Sequence, residues 1–233
     1  MQLENKNIVI TGVSKGIGLA LSKILNDKGA NVFGWGRNAP KSYQHPNFHF
    51  IECDIQNEES VNKAAKRTIE NTNSTIDGLI NNAGLGYFGF LEEQPMDEIT
   101  TMVNTNILGV IYATRSILPA MKAKKTGHII NISSIAGIEG YQQVSVYCAT
   151  KYAITGYSDA LFKELRGFGI KVTCVHPGST ETNFFDNVES IKAHSNMLSP
   201  IEVANNLAFI LESSDNFLTN TIVFRPVNPK PEK

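Results

Sequence analysis

Short apolar runs rich in β-branched residues alternate with longer stretches whose apolar positions recur at helical spacing. Asn7–Thr11 reads as a first strand, and Leu19, Leu21, Ile24 and Leu25 mark a helix that stops at Gly29. Asn31–Trp35 and Phe48–Ile51 are the next strands, followed by a helix from Glu58 to about Asn71. Gly78–Asn81 is a short fourth strand running into Gly84, and a long helix is expected from near Pro95 to about Ala123. His128–Ile132 is a fifth strand, Val146 to about Arg166 a helix, and Ile170–Val175 a sixth strand. Pro200 opens a last helix, and Thr221–Phe224 is a final strand. Strands alternating with helices imply right-handed crossovers and a parallel sheet covered on both faces, an α/β fold. No linker, repeat or low-complexity stretch divides the chain. Residues 1–233 therefore read as one domain, with the proline-rich residues 226–233 as an extended tail.

The 233 residues suffice for a sizeable core. Lysine and arginine (21) nearly balance aspartate and glutamate (22), so no basic stripe points to nucleic acid. No apolar run approaches the roughly 20 residues of a membrane span, and Met1–Lys6 lacks the layout of a secretory signal. Cys53, Cys148 and Cys174 are odd in number and far apart, which disfavours a disulfide framework and makes the cytoplasm the expected compartment. His45, His49, His128, His176 and His194 show no ligand spacing and read as structural or exposed; no metal is expected.

The turn between the first strand and first helix is Thr11-Gly12-Val13-Ser14-Lys15-Gly16-Ile17-Gly18. Glycine allows a tight turn and close backbone approach, and a helix N-terminus offers free N–H groups to a pyrophosphate. A glycine-rich turn can also exist without a ligand; its position at this junction favours a dinucleotide. Where the second strand ends, an NAD site usually carries an acid for the ribose 2′-hydroxyl. Here the chain reads Trp35-Gly36-Arg37, and Lys15 lies in the glycine turn. Two cations and no carboxylate suit a 2′-phosphate, so NADP(H) is preferred and NAD(H) remains possible.

Tyr147 and Lys151 are four residues apart on a predicted helix, with Ser134 thirteen residues before the tyrosine. Residues at that spacing share a helix face. A nearby cation is expected to favour the phenolate and lower the tyrosine pKa, which would fit Tyr147 to exchange a proton with a carbonyl or alcohol oxygen. Alone, the spacing also suits a half-buried tyrosine beside a solvated lysine.

Taken together, these residues resemble the short-chain dehydrogenase/reductase family in its short, single-domain form. The likeness runs through Thr11-Gly12-x3-Gly16-x-Gly18, Asp54, Asn81-Asn82-Ala83-Gly84, Asn106, Ser134, Tyr147, Lys151 and Pro177-Gly178-Ser179-Thr180-Glu181-Thr182. It implies a doubly wound Rossmann-type sheet of about seven strands in the order 3-2-1-4-5-6-7. It also implies an oxidoreductase moving hydride between NADP(H) and a carbonyl/alcohol pair.

In that scheme Tyr147 is the general acid or base, and Lys151 holds the nicotinamide ribose. Ser134 bonds the substrate oxygen, and Asn106 anchors a water relaying protons to Lys151. Ser133 neighbours Ser134, but adjacent strand residues face opposite ways, and the spacing favours Ser134. Gly12, Ser14, Lys15, Gly16, Ile17, Gly18 and Arg37 would meet the cofactor. So would Asp54 and Ile55 (adenine), Asn82, Ala83 and Gly84 (adenosine side), and Pro177, Gly178, Thr180 and Thr182 (nicotinamide half). Asn82 could mainly brace the strands.

The chain departs from the family in Thr150, where serine is commoner, and in its Phe224-Arg225-Pro226 end. Tyr87, Phe88, Tyr141, Phe184 and Phe185 are candidates for an apolar pocket for a small-molecule substrate, though aromatics serve equally as core or lid residues. The resemblance also implies a homodimer or homotetramer associating through the long helices near residues 95–123 and 146–166. Two rival readings are a nucleotide-sugar epimerase or dehydratase, for which too little chain follows Thr182, and a non-catalytic NADP(H) sensor on the same fold.

Overall fold

The computed structural model describes residues 2–182, 184 and 194–229. Seven strands form one parallel sheet: β1 (Asn7–Thr11), β2 (Asn31–Gly36), β3 (Phe48–Glu52), β4 (Gly78–Asn81), β5 (Gly127–Ile132), β6 (Ile170–Pro177) and β7 (Thr221–Phe224). Their order across the sheet is β3-β2-β1-β4-β5-β6-β7. The reversal falls between β1 and β4, so the C-terminal ends of these two strands splay their following loops apart and open a crevice.

The helices are α1 (Gly16–Asp27), α2 (Glu58–Asn71), α3 (Met96–Val103), α4 (Gly109–Lys124), α5 (Ser145–Leu165) and α6 (Pro200–Glu212). Strand side chains alternate between two apolar layers. Val9, Leu79, Ile129 and Val172 pack with Ala113, Ile117, Met121, Leu161 and Leu165 on one face. Ile8, Ile10, Ile80, Ile130 and Val175 pack with Leu21, Leu25, Val203, Leu207 and Leu211 on the other. Burial on both faces explains why the central strands read as continuous apolar runs and not as alternating ones.

The expected long helix from Pro95 to Ala123 is interrupted. α3 and α4 are joined through a π-helical turn over Asn104–Leu108, which carries Asn106. β6 also runs two residues beyond the expected end, to Pro177. The last helix starts with a capping box, in which Ser199 Oγ and Glu202 bond backbone N–H groups reciprocally. Arg225 lies past β7 and pairs with Glu139, so the segment just before the expected tail is tied to the loop after β5.

Candidate active site

A cavity of about 680 Å³ runs along the C-terminal edge of the sheet, from the β1–α1 turn to the aromatic segment after β4. At one end, Gly12 (φ 75°) and Gly16 (φ 62°) occupy backbone conformations that suit glycine. A side chain at Gly18 would put its Cβ 2.3 Å from the Gly12 carbonyl oxygen, so the turn closes only with glycine there. Lys15 precedes α1 in an extended conformation and supplies no side-chain cap. No acidic residue stands in the first turn of α1. The helix N-terminus therefore faces the cavity with positive polarity.

Ser14, Ile17, Arg37, Asp54 and Ile55 line the same end, together with Lys15, Gly36, Ala83 and Gly84. Lys15 and Arg37 are exposed at its rim. Asn82 also lines the cavity, but its amide donates to the carbonyls of Thr11 (2.9 Å) and Gly12 (3.0 Å). Its side chain thus braces β4 against the glycine turn, the second of the two expectations for this residue. Asp54 Oδ1 accepts from the Gln56 N–H at 3.1 Å and holds the loop after β3.

At the end of β6 and just past it, Pro177, Gly178, Thr180 and Thr182 wrap the other side. Thr180 donates to the Gly178 carbonyl at 2.9 Å. A Cβ on Gly16 would lie 3.4 Å from Thr182 Cγ2, which places this segment directly against the glycine turn. Apart from Gly18, which packs behind the turn against Gly12 and Asn82, the residues named from the sequence for a dinucleotide line one continuous groove.

At the far end stand Ser134, Tyr147 and Lys151. α5 starts at Ser145, and the four-residue spacing sets Tyr147 and Lys151 one turn apart on its buried face. Ser134 lies just past β5, its Oγ accepting from the Ala136 N–H at 3.1 Å. Burial raises the Tyr147 phenol pKa above its ordinary value, outweighing the opposing influence of the Ser134 hydroxyl. Lys151 does not do what the sequence suggested. Its Nζ lies 5.8 Å from the centroid of the Tyr147 ring and donates to the Ile132 carbonyl at 3.0 Å. The expected lowering of the tyrosine pKa by the lysine is therefore absent, because desolvation of the phenolate outweighs any charge at that distance. Burial likewise lowers Lys151 to about 8.

The π turn buries Asn106 behind this end of the cavity. Its Oδ1 accepts from Leu85 N (3.0 Å), and its amide donates to Leu85 O (2.8 Å) and Thr150 Oγ1 (3.0 Å). Thr150 in turn donates to Tyr147 O at 2.8 Å. Asn106 thereby ties the cavity wall after β4 to the turn of α5 that carries Tyr147.

Phe88 and Phe184 flank Tyr147, with ring centroids 5.9 and 5.3 Å from it. Tyr87 lines the cavity beside them. Tyr141 also lines it, at the rim, where its hydroxyl donates to Glu139 at 2.7 Å. Phe185 lies outside the described residues. Sequence reasoning missed Thr101, Thr105, Gln142, Gln143 and Val144, which complete this end. Gln143 adopts a left-handed φ of 65°, a conformation that concentrates at functional sites, and accepts from the Gly89 N–H at 2.8 Å. Its proximity to Tyr147 in sequence was the one available signal. His176, expected to be structural or exposed, is buried, and its Nδ1–H donates to the Ser134 carbonyl at 3.0 Å. Among the described residues, no helix is long and apolar enough to cross a membrane, and no group of three or more His, Cys, Asp or Glu is placed to hold a metal ion.

The profile of the short chain dehydrogenase family matches residues 6–193, and the chain belongs to that family of oxidoreductases, the short-chain dehydrogenases/reductases. A 3-ketodihydrosphingosine reductase of Bacteroides thetaiotaomicron is 38% identical over 180 residues. That match covers 77% of this chain and 66% of the relative, just under two thirds of the latter's length. An uncharacterized oxidoreductase of Staphylococcus saprophyticus is 31% identical over 96% of this chain and 97% of its own. Among solved structures, a closed serine dehydrogenase complexed with NADP+ superposes with a TM-score of 0.89 at 28% identity, over 95% of each chain. ElxO with NADP bound gives 0.84 at 28% identity, over 94% of this chain and 96% of its own.

Proposed function

We propose that this protein is an NADP(H)-dependent oxidoreductase acting on a carbonyl/secondary alcohol pair, with Tyr147 as the proton donor in reduction. The observation that carries the reading is that Ser134, Tyr147 and Lys151 line one end of the groove whose other end is the glycine turn, with Asn106 buried behind Gly84 near Lys151. When bound, the nicotinamide cofactor supplies or accepts the hydride.

The residues present fit such a group. Gly12, Gly16 and Gly18 keep the turn flat enough for a pyrophosphate at the α1 N-terminus. Lys15 and Arg37 offer cations to a 2′-phosphate, and the NADP-bound relatives support that preference. Asp54 and Ile55 would meet the adenine, Ala83 and Gly84 the adenosine ribose, and Pro177, Gly178, Thr180 and Thr182 the nicotinamide half; all of them line the cavity.

Lys151 would hold the ribose hydroxyls with its ammonium group. Ser134 donates to the substrate oxygen where negative charge develops. Asn106 Oδ1 and Lys151 Nζ would each lie 3.4 Å from a Cβ built on Gly84, so both face one small space. A water held there would pass protons to Lys151, the role expected of Asn106. Tyr87, Phe88, Phe184 and Tyr141 form the wall for the substrate's apolar part. The protein is expected in the cytoplasm as a homo-oligomer associating through α4 and α5.

The test is consumption of NADPH and, separately, NADH against aldehydes, ketones, diketones and 3-oxoacyl thioesters. Turnover with NADPH is expected, and Tyr147→Phe should lower it by about 10²–10⁴-fold while cofactor binding persists. Cofactor binding with no turnover of any carbonyl would favour the non-catalytic sensor.

A further inference from the structure

Behind the reacting groups, two hydroxyls join elements that no backbone ladder connects. Ser133 is anchored to the sheet by its N–H, which donates to the Val175 carbonyl at 2.8 Å. Its side chain turns toward α5, and Oγ donates to the Lys151 carbonyl at 3.0 Å. Thr155, one turn along α5, has its Oγ1 3.0 Å from the Gly137 carbonyl and 3.1 Å from the Lys151 carbonyl. The two hydroxyl oxygens are 3.4 Å apart. Each hydroxyl has one proton. With the Ser133 proton on Lys151, the Thr155 proton serves Gly137.

The short turn that begins with Ser134 is thus fastened to α5 at both ends, before it through Ser133 and after it through Gly137. The contact is tight. A Cβ on Gly137 would lie 2.3 Å from Ser133 Oγ, 2.7 Å from the Lys151 carbonyl oxygen and 2.9 Å from Thr155 Oγ1. Turn and helix backbone therefore touch, with no room for a side chain between them.

We propose that Ser133 and Thr155 are positioning residues that fix the Ser134 turn against the Tyr147–Lys151 face of α5. The inference rests on the reading of Ser134, Tyr147 and Lys151 as the reacting set. A carbonyl oxygen must meet the hydroxyls of Ser134 and Tyr147 together, and these come from different elements. Their separation is set where the elements are fastened, and a misplacement of about 1 Å can cost about 10²-fold in rate.

The test is Thr155→Val, which replaces the hydroxyl by a methyl, compared with Thr155→Ser, which restores it. The decisive reading is the single-turnover rate constant for NADPH oxidation by the cofactor-loaded enzyme. It does not depend on how much of the sample is folded. Thr155→Val should lower that constant about 10-fold or more with little change in KM for the carbonyl, and Thr155→Ser should return it to within about two-fold. A Thr155→Val constant within about two-fold of wild type, or a Thr155→Ser variant as slow as the valine, overturns the proposal. If the valine variant does not fold, Ser133→Ala decides by the same criterion. Failure of the underlying reading shows differently: the wild type would turn over nothing, or Tyr147→Phe would remain active.

Discussion

Lys151 Nζ donates to the carbonyl oxygen of Ile132 at 3.0 Å, so the cation beneath the site is held by the end of β5 and not by the tyrosine it was expected to tune. Burial lowers the lysine from its ordinary 10.5 to about 8. The unfolded chain keeps this proton to the higher pH and the folded chain releases it at the lower one. Burying the charge therefore costs stability below about pH 8, and that cost is relieved as the pH rises toward about 10.5. Relative to Lys151→Met, the wild type should gain on the order of 3 kcal/mol across this window. Chemical denaturation of both proteins between these pH values checks it. Parallel stability curves would show that the lysine is not perturbed.

The cofactor preference rests on Lys15 and Arg37, exposed at the rim of the glycine-turn end. On the proposed reading, each would offer a charge-assisted contact to a 2′-phosphate that a 2′-hydroxyl cannot match. Arg37→Ala and Lys15→Ala should each weaken NADPH binding by about 10-fold and leave NADH within about two-fold. Fluorescence titration with both cofactors reads the difference. Equal weakening of NADPH and NADH would remove these residues from phosphate recognition.

Much of this arrangement was legible in the sequence because it depends on short-range rules. The strand–helix alternation, the glycines at the β1–α1 junction and the Tyr147–Lys151 spacing each encode geometry within a few residues. The π turn at Asn104–Leu108 was not legible, since none of its residues breaks a helix and the register change serves contacts to Leu85 and Thr150 that are distant in sequence. The state of Tyr147 was misread for a related reason. Spacing along a helix says that two groups share a face, but not how deeply the phenol is buried or which carbonyl claims the lysine. Ser133 and Thr155 were invisible as a pair, because their meeting depends on how closely the turn after β5 approaches α5.

His128 gives the chain an acid-side liability. It is fully buried, and its Nε2 lies 2.8 Å from Thr173 Oγ1. Thr173 spends its own proton on the Thr219 carbonyl at 2.6 Å, so His128 Nε2–H must be the donor. Burial lowers its pKa from 6.5 to about 3. Below about pH 6.5 the unfolded chain takes up a proton that the folded chain refuses, so stability falls as the pH drops toward 3. The slope from this residue approaches about 1.4 kcal/mol per pH unit. His128→Asn, which retains a donor, should lose that part of the slope in thermal unfolding between about pH 6 and 4. An unchanged slope would mean that other groups govern acid unfolding.

Gly86 and Phe184 should act as a unit on the substrate side. A Cβ on Gly86 would lie 2.6 Å from Phe184 Cζ, 3.1 Å from Phe88 Cε1 and 3.2 Å from Tyr147 Cδ2. The Phe184 ring thus occupies space that exists only because residue 86 has no side chain, and from there it packs against Tyr147 at 5.3 Å between centroids. In Gly86→Ala the Phe184 ring, the far end of a side chain, is the part able to yield, so Phe184 moves off Tyr147 and the wall beside the reacting hydroxyl opens. We expect kcat/KM for the best carbonyl substrate to fall about 10-fold in Gly86→Ala, with bulkier ketones losing less. In a Phe184→Ala background the same change should cost less than about two-fold, because the obstructing ring is already gone. The four proteins form a double-mutant cycle read by kcat/KM. Additive losses would mean that Gly86 acts through the backbone after β4, or directly on Tyr147, and not through the position of Phe184.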